Sequence, residues 1–132
     1  MAFKSRLFRN KKGNAIIEFA LVLPILLLVL FGITEFGRAI MVTNVLNTAS
    51  REGARLAAVS DLSDTVSVQT RVQEVLTASN VTPKNITVEY SAATRTVKVS
   101  VTSDFEVLSA GVLGSFAGVI ELHGTTIMKY EG

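Results

Sequence analysis

Cysteine is absent from all 132 residues. That removes disulfide frameworks and thiolate metal sites, and it leaves the chain indifferent to an oxidising compartment. Histidine is almost as scarce. His123 stands alone, so a histidine metal cage or a Ser/His/Asp arrangement would have to use it, and it falls in a predicted strand with no paired carboxylate at a telling interval. Gly111, Gly114 and Gly118 form neither Gly-x-Gly-x-x-Gly nor a Gly-Lys-Ser/Thr ending, which leaves a flexible loop rather than a nucleotide cradle. The residues imply no cofactor, no metal and no small-molecule substrate, and the expectation is a chain that is not an enzyme.

Charge is also unevenly supplied. Of the 13 basic residues, Lys4, Arg6, Arg9, Lys11 and Lys12 precede Gly13, so the rest carries 8 bases against 11 acids, a formal net of −3. A basic stretch that abuts a hydrophobic run is poor evidence of a nucleic-acid-binding face, and no nucleic-acid partner is expected.

What the sequence has in abundance is one apolar run. From Ala15 to Ile33 Glu18 is the only charged side chain in 19 residues. At about 1.5 Å per residue such a helix reaches roughly 28 Å, enough for a hydrocarbon core of about 30 Å. The bases before it and the mixed pair Glu35 and Arg38 after it place the N-terminus in the cytoplasm and the remainder outside. A cleaved secretory signal fits less well, because the run is long and passes into a patterned helix with no small-x-small site after Phe31.

The helix is expected to continue beyond the lipid. TEFGRAIMVTNVLNTASREGARLAAV contains no proline, and Val42, Leu46, Ala49, Gly53 and Leu56 step by four, three, four and three along one stripe. So lean a stripe suits close approach of another helix, and it suits equally well a helix packed on its own head domain.

Two residues interrupt the run. A carboxylate in a membrane span costs on the order of 2.5–3.5 kcal/mol at the centre, so Glu18 calls for a partner. If the chain were cut between Gly13 and Asn14, the new α-amino group would lie four residues away, one helical turn, and the helix dipole would favour the same charge. A neighbouring subunit's amino terminus would serve as well, and so would a shallow position from which Glu18 reaches the headgroups uncut. Pro24 cannot donate to the carbonyl of Ala20 and is expected to kink or locally open the helix.

The run KKGNAIIEFALVLPILLLVLFGITEFGRAI followed by TASREGARLAA resembles the N-terminal signature of TadE-like proteins, minor pilins or pseudopilins of the tight-adherence (Flp, type IVb) pilus system. The features that carry it are the basic leader ending in Gly13, Glu18 as the fifth residue after it, Phe19, the ALVLP stretch, the tetrapeptide Glu35-Phe36-Gly37-Arg38 and the REGAR segment from Arg51 to Arg55. The resemblance covers roughly the first 58 residues and is loose beyond Ser60. It implies cleavage after Gly13 by a prepilin peptidase, a need for Glu18 in processing or assembly, and residence in the bacterial inner membrane or a surface pilus. The partners it implies are the lipid bilayer, a major pilin, other minor pilins and an inner-membrane assembly platform.

Beyond Val59 the pattern changes. Ser63 or Asp64 is placed to cap a helix over Val66–Ala78 with Val68, Val72, Val75 and Leu76 on one face. NVTPKN breaks it, ITVEYS alternates as a strand over 86–91, Ala92–Arg95 turns the chain, and TVKVSVTSDFEV places Val97, Val99, Val101 and Phe105 on one side. LSAGVLGSFAG reads as a loop crossing back to a last strand from about Val119 to Tyr130. Arg51 and Arg55 are available for a partner's acids, although Glu52 lies at i,i+3 from Arg55 and a local pair competes.

The expected fold is α+β: a long transmembrane helix continuing into a head with one short helix and a three-stranded antiparallel sheet. The expected divisions are a cleaved leader over 1–13, a span over 14–33, a helical continuation over 34–59 and a head over 60–132. The expected function is a structural or assembly subunit of the pilus. The alternative is an uncleaved single-pass adaptor with an extracytoplasmic binding head.

Overall fold

The computed structural model describes residues 11–108 and 118–130. Most of the basic leader and the central part of the LSAGVLGSFAG loop therefore lie outside the described residues. The elements follow in the order α1 (Lys11–Val59), α2 (Thr65–Ala78), β1 (Asn85–Ser91), β2 (Thr96–Glu106) and β3 (Val119–Lys129). The chain divides into two units, Met1–Thr34 and Glu35–Gly132.

In the first unit every residue from Asn14 to Thr34 is exposed. Helical hydrogen bonding is assigned straight through Pro24, so the expected local opening does not interrupt the element. α1 is long and apolar enough to cross a membrane.

The second unit is an α+β head built on the C-terminal half of α1. Its sheet is a simple antiparallel meander, β1-β2-β3, with Val97 opposite Tyr90 and Met128 and Val101 opposite Ile86 and Gly124. The period-2 alternation of β2 sends Val97, Val99, Val101, Ser103 and Phe105 inward, and all five are buried. Leu46, Ala49, Ala54 and Ala57 of α1 and Val68, Val72 and Leu76 of α2 complete the core.

Local chemistry sets the ends of α2. The Asp64 carboxylate accepts from Ser67 N at 3.2 Å, satisfying one of the free N–H groups of the first turn. At the other end Asn80 takes a positive φ of 54°, while Val81 N donates to Leu76 O and Asn80 N to Thr77 O. That pair of bonds is a Schellman motif, and Val81 packs on the core as the motif's apolar follower. Arg95, also left-handed at φ 50°, closes the β1–β2 turn.

Tyr90 and Tyr130 meet edge to face, centroids 5.9 Å apart at 80°. Burial, reinforced by the charges of Asp64 and Tyr130, pushes the Tyr90 phenol above its ordinary value of 10.0. A raised phenol pKa means that the neutral form is favoured in the folded state, so its contribution is complete at neutral pH and is lost as pH rises through the folded pKa. With Tyr130→Phe in place, phenolate absorbance follows Tyr90 alone. It is expected to titrate above 10.0 in the folded chain and to return to the ordinary range in denaturant. Identical titrations in the two states would contradict the burial.

Candidate functional site: the α1 spine

Three sets of side chains lie along α1. The first is Gly13, Asn14, Glu18 and Pro24. A Cβ built at Gly13 meets nothing within 4 Å, although glycine in a helix costs about 1 kcal/mol relative to alanine. Nothing in the described structure requires glycine there. Glu18 is exposed and has no ion-pair partner among the described residues. Four residues separate it from Asn14, an axial rise of about 6 Å.

The second set is the tetrapeptide at the start of the head. Glu35 and Arg38 form an i,i+3 pair at 3.3 Å. Each also reaches the end of β2. The Glu35 carboxylate accepts from Leu108 N at 3.1 Å, and Arg38 donates to the carbonyl of Glu106 while its guanidinium lies 4.4 Å from the centre of the Phe105 ring. The pair therefore clamps the first turns of the head helix to the sheet, a role that spacing alone did not reveal.

The third set is the small-residue stripe. Leu46, Ala49 and Gly53 are buried and Val42 and Leu56 half-buried. All face the head's own α2 and sheet: a Cβ on Gly53 would collide with Val72 Cγ2 and stand 3.2 Å from Val99 Cγ1. Of the two uses open to this stripe, the subunit's own core occupies it, so a second helix would have to use other surface.

The structure changes two further expectations. Glu52 pairs across to Arg71 of α2 at 3.1 Å rather than with Arg55, because α2 brings a second cation alongside. Hydrogen bonds from Glu52 and Glu74 hold the Arg71 guanidinium above its ordinary pKa. His123 has Glu121 at 3.8 Å, since i and i+2 share a strand face, but both are exposed. Glu121 is shared with Lys84, which also reaches Asp104, and these bonds raise the Lys84 pKa. Among the described residues no three His, Asp or Glu side chains gather as a metal site would require.

Two contacts between α1 and β3 were not anticipated. The helix backbone passes so close to Gly124 that a Cβ there would stand 2.6 Å from Leu46 O and 2.7 Å from Asn47 N. One turn on, the Ser50 and Thr126 hydroxyls share a hydrogen bond of 2.7 Å. The isolated glycine in a strand was the available signal for close backbone approach.

An apolar helix with a lone acid near its start, continuing as the spine of a small α+β head, defines the pilin-like class of membrane-anchored chain. Residues 13–55 match the family model described as TadE-like protein, so this part of the chain is TadE-like, from Gly13 through the REGAR segment. Comparison with curated proteins and with solved structures gives no match.

Proposed function

We propose that the chain is a structural or assembly subunit, a minor pilin or pseudopilin, of a Flp or type IVb-like bacterial pilus or a related secretion machinery. The observation that carries this reading is the TadE-like match over residues 13–55, a family of structural pilus components. In this reading a prepilin peptidase removes residues 1–13 on the cytoplasmic side. Residues 14–33 then hold the subunit in the inner membrane, and the head stands outside. The unneeded glycine at position 13 is explained as a requirement of the peptidase rather than of the fold.

Assembly follows from the exposed span. Its apolar surface from Asn14 to Thr34 has no intramolecular cover, and Glu18 makes insertion costly until it meets a cation. The amine freed at Asn14, in the same subunit or a neighbour, supplies one. Lateral packing with a major pilin or other minor pilins, guided by an inner-membrane platform, keeps the span covered as it leaves the lipid. Pro24, which leaves the Ala20 carbonyl without its usual donor, is the point where the rod bends most cheaply.

Glu18→Gln tests this reading. It keeps size and removes charge. The variant is expected to remain in the membrane fraction and to be lost from sheared pili, as seen by immunogold labelling. Incorporation equal to the natural chain would contradict the charge-pairing role.

A further inference from the structure

We infer that the end of the head adjoining the span is itself a membrane-contact surface, an apolar collar seated in the lipid interface around the anchor. The inference rests on the membrane-anchor part of the proposed function and adds a second, separate lipid contact.

The collar is built from three places in the sequence. Phe36 and Ile40 lie on α1 immediately after Glu35, the first residue of the head unit. Leu108 is fixed beside them by its N–H bond to Glu35. Val119 and Ile120 begin β3, paired with Glu106 and Phe105, the two β2 residues that Arg38 grips. All five are exposed; Phe36 and Leu108 reach 70%. The Glu35–Arg38 clamp therefore gathers large apolar side chains at one end of the head and leaves them uncovered.

Charge and extent favour lipid over water. Between Glu106 and Glu121 the sequence has no charged residue, and at this end Glu35 and Arg38 are paired with each other. Elsewhere the head's surface is ionic, with Glu52, Arg71 and Glu74 on the helices and Lys84, Asp104 and Glu121 on the sheet. The step from Phe36 to Ile40 covers about 6 Å of helix axis, within the roughly 5–10 Å depth to which interfacial apolar faces sink into the headgroup and acyl boundary. Chain continuity fixes the occupant: this end follows the last residue of the span, so it meets the bilayer surface before any soluble partner. In the stored subunit lipid is what covers it.

The absence of cysteine makes the test direct. Leu108→Cys, Ile120→Cys, Leu26→Cys in the span and Leu62→Cys in the α1–α2 connection, the last an exposed apolar position outside the collar, are each labelled with an environment-sensitive fluorophore. The full chain is reconstituted into phosphatidylethanolamine/phosphatidylglycerol vesicles with and without doxyl-labelled lipid. The expected result is a blue shift and loss of most emission to the doxyl lipid at 26, 108 and 120, with Leu62→Cys quenched only by aqueous iodide. Quenching at 26 but iodide accessibility at 108 and 120 equal to that at 62 would overturn the collar while keeping the anchor. A blue shift at 108 and 120 without doxyl quenching would mean that protein covers the patch and would also overturn it. Loss of doxyl quenching at 26 would overturn both.

Discussion

Gly124→Ala is expected to cost the head about 3 kcal/mol, the upper part of the range for overpacking a well-filled interior. The added methyl would meet the main chain of Leu46 and Asn47, which no rotamer change relieves, so relaxation requires α1 to lift from β3. Lifting would also strain the Ser50–Thr126 hydroxyl pair one turn away. For a domain of this size, 3 kcal/mol lowers the melting temperature by roughly 12 °C or more. The chain has two tyrosines and no tryptophan, and both tyrosines belong to the head's packing, so near-UV circular dichroism of the full chain in detergent follows the head without interference from the span. Gly37→Ala is the matched control. Its Cβ meets nothing, and the exchange is expected to leave the transition unchanged or raise it, by up to about 1 kcal/mol from helix propensity. Equal transitions for the two variants would contradict the close helix–strand approach.

The second large effect lies at Leu46→Ala, expected at about 2–5 kcal/mol. Leu46 is fully buried on the same turn that passes over Gly124, and truncation leaves a cavity that a sheet and two helices cannot readily fill. Val42→Ala, one turn earlier and half-buried, is expected to cost distinctly less. The ordering separates a stripe that forms this subunit's core from one reserved for a neighbouring helix. If both substitutions left thermal unfolding unchanged but weakened pilus incorporation, the stripe would belong to an intersubunit contact.

Much of this architecture is legible in the residues because each element repeats with its own period. The three-four spacing of Val42 through Leu56 and the strict alternation of Val97, Val99 and Val101 leave little choice of face. Asp64, Asn80 and the Ala92–Arg95 turn announce their roles through short-range chemistry. What the sequence concealed depends on elements distant in the chain. Gly124 looks like an ordinary weak point in a strand until α1 lies across it. Glu52 has a plausible local partner in Arg55, yet Arg71, nineteen positions away, takes it once α2 packs alongside. Glu35 and Arg38 read as a membrane-exit motif, and their bonds to Leu108 and Glu106 exist only when β2 ends beside them. Glu18 is the reverse case: its sequence context suggests a role, and the isolated subunit offers it no partner, because the partner proposed for it is created by cleavage or supplied by another copy.

The same clamp links the stability of the head to the geometry of its attachment. Arg38 is tied to Glu35, to Phe105 and to the Glu106 carbonyl, so the first turns of the head helix cannot fray without releasing the end of β2. A pull on the anchor during extraction from lipid is therefore resisted where it enters the head.

The account turns on whether the polypeptide is shortened to free an amine one turn before Glu18. Intact-mass and N-terminal sequencing of the protein purified from native membranes decides this. A chain beginning at Asn14 is the predicted result, and a mature chain that still begins at Met1 would contradict it.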